Sequence, residues 1–319
     1  MEKRQLGSSD LQVAPWAFGG NVFGWTIGKE ESFRLLDAFV GEGFNLIDTA
    51  DVYSAWVPGN KGGESETIIG EWMKSRGTRD RVVLATKVGM DFAPDRKGGL
   101  SKTHIFKAVE DSLKRLQTDR IDLYMAHRDD PSVPLEETLG AFSELVRQGK
   151  IRHIGASNYT ADRLVEALKV SERHGYSRFV SLEPLYNLMD RTDFEKNLLP
   201  VCREYQLGVI PYYALASGFL SGKYRTQADL AKSSRAHSVG NYMNERGMRT
   251  LKALDEVAGA TKATPSQVAV AWLRMQPTIT APIASVTNLQ QFEDVMKAAK
   301  LELSPEMLKT LELATRENA

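Results

Sequence analysis

Four residues carry side chains suited to moving a proton and holding it in place: Asp48, Tyr53, Lys87 and His127. A tyrosine with a pKa near about 10 is too weak an acid at neutral pH unless a cation steadies its phenolate. Lys87 can be that cation, and Asp48 can hold Lys87. Together they suit protonation of an oxyanion as it develops on a carbonyl carbon, while His127 donates a hydrogen bond to the same oxygen. Taken singly, each has an ordinary alternative. Asp48 precedes Thr49 and reads equally as a strand-end cap, Lys87 as a solvent-facing lysine, His127 as a hydrogen-bonded structural histidine and Tyr53 as a packing aromatic. What favours the chemical reading is that three of them end successive strands.

Short runs rich in Val, Ile and Leu alternate along the chain with longer amphipathic segments. The runs are Val13 to Phe18, Phe44 to Ala50, Arg81 to Lys87, Ile121 to His127, Ile151 to Ser157, Val180 to Tyr186, Gly208 to Leu215 and Thr278 to Ser285. Each is followed by a helix-like stretch, such as Lys102 to Leu116 with Ile105, Val109, Leu113 and Leu116 on one face. Eight strand–helix units predict an α/β fold, a (β/α)8 TIM barrel, as one domain over residues 1–319. Residues 1–10 are expected to form a hairpin, and a last helix is expected over Ser304 to Ala314, opened by Ser-Pro-Glu. The connection Ala214 to Asn244 is unusually long. In a barrel the chemistry lies at the C-terminal ends of the strands. Strand alternation puts Phe44, Leu46 and Asp48 on one face, likewise Val83, Ala85 and Lys87, and Ile121, Leu123, Met125 and His127. Asp48, Lys87 and His127 should therefore converge at one mouth.

Composition narrows the class. The 319 residues carry 41 basic and 41 acidic side chains, so the formal charge is zero. That gives no electrostatic reason to expect nucleic acid or an anionic membrane as partner. The longest apolar stretch, Val209 to Leu220, is broken by Pro211, Ser217 and Gly218 and is too short to span a bilayer. The single cysteine, Cys202, and a polar start lacking a signal-peptide core lead to the expectation of a cytoplasmic protein. His104, His153, His174 and His237 lack metal-ligand spacing, so no metal is expected. No G-x-G-x-x-G opens a βαβ unit.

The segment Ile-Asp48-Thr-Ala-Asp-Val-Tyr53, then Gly63-Glu-Ser-Glu66, resembles the aldo-keto reductase family. So do Ala85-Thr-Lys87-Val, Asp122-Leu-Tyr-Met-Ala-His127 and Gly149-Lys-Ile-Arg-His-Ile-Gly-Ala-Ser157-Asn158-Tyr. The resemblance covers nearly the whole chain and implies a tetrad of Asp48, Tyr53, Lys87 and His127. It implies NAD(P)(H) in an extended form across the barrel mouth, with NADP(H) the family default. Ser157 and Asn158 would hold the carboxamide, with Glu183 where many relatives have Gln. Tyr212 would stack on the nicotinamide. Ser217, Gly218, Leu220 and Lys223 would approach the pyrophosphate. Ser285, Thr287, Asn288, Gln291 and Asp294 would grip the adenosine end.

Three positions depart from the pattern. An ionised Glu183 only accepts hydrogen bonds. Tyr213-Ala214 replaces the more usual Ser-Pro. No Lys or Arg lies between Ser285 and Gln291 to meet a 2′-phosphate, which leaves NAD(H) open unless Arg225 or Arg235 substitutes.

The resulting expectation is reduction of an aldehyde or ketone, with Phe23, Trp25, Trp56, Phe92 and Tyr213 as candidate walls for an apolar substrate. Two competitors stand beside it. One is a lyase forming a Schiff base on Lys87. The other is a non-catalytic, cofactor-binding regulator like the potassium-channel subunits that share this fold. Oligomeric state is not legible.

Overall fold

A computed structural model describes residues 2–92, 97–230 and 236–316. A short antiparallel hairpin, β1 (Arg4–Gln5) and β2 (Gln12–Val13), precedes eight parallel strands. These are β3 (Ala17–Gly19), β4 (Leu46–Asp48), β5 (Val83–Val88), β6 (Ile121–Ala126), β7 (Ile151–Ser157), β8 (Phe179–Glu183), β9 (Gly208–Val209) and β10 (Ile283–Ala284). Sequence neighbours pair in register: Gly19 opposite Asp48, Asp48 opposite Ala85, Lys87 opposite Met125 and Ser157 opposite Glu183. β10 returns to β3, and the Thr280 N–H donates to the Val209 carbonyl at 2.8 Å, which closes the ring. The result is the (β/α)8 barrel expected.

Between and around the strands run α1 (Lys29–Gly41), α2 (Glu64–Arg76), α3 (Lys102–Leu116), α4 (Leu135–Arg147), α5 (Ala161–His174) and α6 (Leu199–Glu204). After β9 come α7 (Gln227–Leu230), α8 (Ala236–Gly240), α9 (Glu245–Thr261) and α10 (Pro265–Arg274). α11 (Leu289–Ala298) and α12 (Pro305–Ala314) end the chain. Helix starts follow from side chains that satisfy first-turn N–H groups. Ser101 caps α3, Thr160 α5, Asn288 α11 and Ser304 α12, and Thr264 with Gln267 closes a full capping box on α10.

The apolar residues divide into two layers. Trp16, Phe18, Phe39, Trp72 and Trp272 belong to the layer between strands and helices. Leu46, Val83, Ala85, Leu123, Met125 and Ile283 fill the barrel interior. Leu6, Leu11 and Val13 of the hairpin join the interior cluster and plug the barrel floor. Gly7 makes that plug possible: its φ is +55°, and a Cβ there would lie 2.1 Å from the Val180 carbonyl oxygen.

Several boundaries differ from the sequence reading. The hairpin runs past residue 10 and takes Val13 from the first barrel strand, because Pro15 interrupts that run. The runs at 208–215 and 278–285 keep only two regular residues each. Pro211 and Pro282 donate nothing there, although their carbonyls accept from Ile283 and Ala17. Phe44 and Ile121, expected to face inward with Leu46 and Leu123, belong to the outer layer. Each stands at the start of its run, before the alternation of the barrel interior sets in. The long connection after β9 holds the short helices α7 and α8. No helix among the described residues is long and apolar enough to cross a membrane.

Candidate active site

Strand ends define the site. Asp48 is the last residue of β4, Ser157 of β7 and Glu183 of β8. Lys87 is next to last on β5, and His127 directly follows β6. All five side chains are buried, Lys87 completely. Tyr53 reaches in from the loop after β4 and is partly buried.

Lys87 Nζ is the centre. It donates to both Asp48 oxygens at 2.7 and 2.8 Å, to the Thr49 carbonyl at 3.0 Å, and lies 2.8 Å from the Tyr53 hydroxyl. The Tyr53 hydroxyl is 3.3 Å from Asp48 Oδ2. Glu183 Oε1 is 3.4 Å from the same Nζ. The His127 ring meets the Tyr53 ring edge-on, centroids 5.9 Å apart.

Burial and charge set the protonation states. Burial penalises the Lys87 ammonium, but Asp48 and Glu183 outweigh it and hold Lys87 protonated well above its ordinary range. Tyr53 moves opposite to the expectation. Burial and the Asp48 charge push its phenol far up, and Lys87 only partly offsets them. Tyr53 therefore rests as a neutral phenol, the form that has a proton to give. His127 is held neutral by burial and by Lys87, and its Nδ1 is buried without a partner. Burial and the Asp48 charge raise Glu183 to about 8, so at neutral pH it is largely protonated. A protonated Glu183 can donate as well as accept, unlike the ionised form.

Beside this centre Ser157 Oγ donates to the Glu183 carbonyl, and Asn158 Nδ2 donates to the His127 carbonyl at 2.9 Å. The Tyr212 hydroxyl donates to Asn158 Oδ1 at 2.7 Å. Asn158 holds φ at +56°, a conformation that Asn tolerates better than most residues. Tyr213, Ala216, Ser217 and Gly218 share that left-handed region. The Gly218 and Leu220 N–H groups both turn onto the Leu215 carbonyl, and the Leu220 side chain is buried in the outer layer. These two N–H groups are engaged within their own loop. Lys223 is exposed, with Nζ 5.0 Å from the Tyr224 ring centre.

At the far rim Ser285 donates to Asn21 Oδ1 at 2.5 Å. Thr287 and Gln291 bond each other, Asn288 caps α11, and Asp294 accepts from Gln267. Arg225 makes a two-pronged ion pair with Asp255, and Arg235 lies outside the described residues.

The aromatic walls separate. Trp25, Trp56 and Tyr213 are exposed; Trp25 and Trp56 form an edge-to-face pair 5.7 Å apart, and Trp56 stands 6.2 Å from Tyr53. Phe92 packs over Gly62. Phe23 is the exception: it is fully buried against Phe18 in the outer layer and lines no opening. Two contributors escaped the sequence reading. Asn21 holds both Ser285 and, through its carbonyl, Trp25 Nε1. Asn187 donates to the Tyr213 carbonyl and pins that backbone. Neither carries a sequence signal beyond its polar type in a loop.

A sequence profile of the aldo/keto reductase family matches residues 15–315. The chain belongs to that family. It is an oxidoreductase of the aldo-keto reductase type, a family that reduces small carbonyl compounds with NAD(P)H. It is 34% identical over 318 residues to the uncharacterized oxidoreductase YrpG of Bacillus subtilis, covering 98% of this chain and 95% of that protein. It is 32% identical to the aldo-keto reductase AMT2 of Alternaria alternata, covering 97% and 90%. It is also 32% identical to a putative voltage-gated potassium channel subunit beta of Schizosaccharomyces pombe, covering 97% and 92%.

Proposed function

We propose that the chain reduces an aldehyde or ketone to an alcohol, reversibly, with Tyr53 as proton donor. The observation that carries this is the buried contact of Lys87 Nζ with the Tyr53 hydroxyl and both Asp48 oxygens. Bound NAD(P)H supplies the hydride. The mouth suits such a group: it presents the partnerless polar atoms His127 Nδ1 and Glu183 Oε2 beside Asn158 and Tyr212. Ser157, Asn158, Glu183 and Tyr212 would hold its nicotinamide end. The loop with Ser217, Gly218, Leu220 and Lys223 would border the pyrophosphate, and Ser285, Thr287, Asn288, Gln291 and Asp294 the adenosine. NADP(H) is the favoured form, with Arg225 as the cation for its phosphate.

Tyr53 gives its proton to the substrate oxygen as negative charge grows there. Neutral His127 donates a hydrogen bond to that oxygen and orients it. Lys87 stabilises the phenolate left behind, and Asp48 fixes Lys87 in place. Trp25, Trp56, Phe92 and Tyr213 border the space for an apolar substituent. Tyr53→Phe tests the assignment: turnover of a reactive aldehyde should fall by about 10²–10⁴ while cofactor binding persists. Full retained turnover would sink it.

The same geometry disfavours a Schiff-base lyase. Attack by Lys87 needs a neutral amine, and the Asp48 carboxylate, with both oxygens on Nζ, holds it as ammonium. Similarity to the channel subunit supports a second reading, a cofactor-binding regulator. Tight NADPH binding with no oxidation on any carbonyl of a broad panel would favour it.

A further inference from the structure

The site holds one more acid than the proposed proton transfer uses. Two carboxyls, Asp48 and Glu183, face one ammonium, Lys87, and all three are buried. Were both carboxyls ionised, a net negative charge would be buried, which is costly. One proton shared between them removes it. Asp48 has both oxygens within 2.8 Å of Lys87 Nζ and keeps the charge, whereas Glu183 approaches with one oxygen at 3.4 Å and leaves Oε2 unpartnered. The other groups facing Glu183 are Tyr53 and Tyr212, both neutral phenols.

We propose that Glu183 is the proton reserve of Tyr53, acting through Lys87; this rests on the proposed reduction. When Tyr53 gives up its proton, its O–H bond breaks and the alcohol O–H forms. The phenolate takes a proton from Lys87 Nζ at 2.8 Å, and Lys87 takes the carboxyl proton of Glu183 across 3.4 Å. No electron moves. Tyr53 and Lys87 end as they began, and Glu183 ends as a carboxylate that regains a proton from water between turnovers. The direction is downhill, because a buried phenolate beside Asp48 binds a proton more tightly than Glu183 does. Glu183 acts on Tyr53 only through Lys87 and is a positioning residue for the proton.

Carboxyl ¹³C NMR on the whole protein, with wild type, Glu183→Gln and Glu183→Asp, tests this, alongside pH profiles and proton inventories of aldehyde reduction. Wild type should show a carboxyl titrating near 8 that Glu183→Gln lacks. Its reduction rate should fall about tenfold from pH 7 to pH 9 with a curved proton inventory, as expected when more than one positioned proton moves. Glu183→Gln should lose that fall and give a straight inventory, while Glu183→Asp keeps the fall at its own carboxyl's pKa. The proposal is overturned if no wild-type carboxyl titrates above the ordinary range. It is equally overturned if Glu183→Gln keeps the fall and the curvature. Should Glu183→Gln not fold, a Glu183→Asp limb that fails to track its carboxyl titration overturns it. A wild type that reduces no carbonyl while the carboxyl still titrates defeats the proposed function and, with it, this role.

Discussion

The phenol oxygen of Tyr53 lies 2.8 Å from Lys87 Nζ, yet Tyr53 is a weaker acid than a free tyrosine. Burial and Asp48 together outweigh the adjacent cation. In ultraviolet pH titration Tyr53 should therefore contribute no phenolate absorbance through pH 11. The difference between wild type and Tyr53→Phe measures this directly. A phenolate lost on Tyr53→Phe, and formed below pH 10 in wild type, would contradict the balance of charges described.

Replacing Lys87 by Met leaves two buried carboxyls without their cation. Breaking a buried pair from one side typically costs about 3–5 kcal/mol. The loss should be largest above pH 8, where both carboxyls would ionise, and smallest near pH 5, where protons neutralise them. Thermal melts of Lys87→Met against wild type at the two pH values check the sign.

Glu183 also predicts how stability varies with pH. Its carboxyl binds its proton more tightly folded than unfolded, rising from 4.5 to about 8. The folded state thus holds the extra proton between those values, and stability falls as pH rises through that window. Below 4.5 the effect is absent, and above 8 it is complete. Glu183→Gln should remove this slope, gaining on wild type between pH 5 and pH 8 in denaturant titrations. A parallel pair of stability curves would contradict it.

Much of this centre was legible because barrel strands alternate and end in register. Asp48, Lys87 and His127 each close an apolar run, so parity alone brings them to one mouth. Parity failed at the run starts, where Phe44 and Ile121 join the outer layer, and at Pro15, Pro211 and Pro282, which shorten strands. Phe23 looked like a wall because it lies in a mouth loop, but loop membership does not fix which way a ring points. The contact of Glu183 with Lys87 crosses the barrel between β5 and β8, and its 3.4 Å depends on side-chain reach. The Arg225–Asp255 pair joins a loop to a helix thirty residues on, a distance no local pattern encodes.

Trp56 is half exposed and touches the site through its ring edge, 6.2 Å from Tyr53 and 5.7 Å from Trp25. Little of its surface supports the core, so Trp56→Ala should leave the melting temperature within a few degrees of wild type. Its effect should appear in KM for bulky apolar carbonyls, rising about tenfold for the loss of about 1.4 kcal/mol of apolar contact. The kcat should stay close to wild type, since no proton-transfer group is moved. Short aldehydes, too small to reach the ring, should show little change. An equal loss on both substrate sizes would remove Trp56 from the substrate wall.

In the proposed function Arg225 is the cation that would meet a 2′-phosphate. Residues 285–291 offer no cation, and Arg225 is committed to Asp255 at 2.7 and 2.9 Å. That pair is more than a third exposed on both sides, and exposed ion pairs contribute only about 0–1 kcal/mol. Arg225 can therefore leave Asp255 for a phosphate at small cost. Arg225→Ala should weaken NADPH binding about 10- to 100-fold, the ~1.5–3 kcal/mol of a charge-assisted hydrogen bond, and leave NADH binding unchanged. Asp255→Ala should strengthen NADPH binding slightly by freeing the guanidinium. Fluorescence titrations of wild type and both variants with each cofactor read this out. Equal loss of NADH and NADPH on Arg225→Ala would assign Arg225 to loop structure, and no preference for NADPH in wild type would favour NAD(H) as the cofactor.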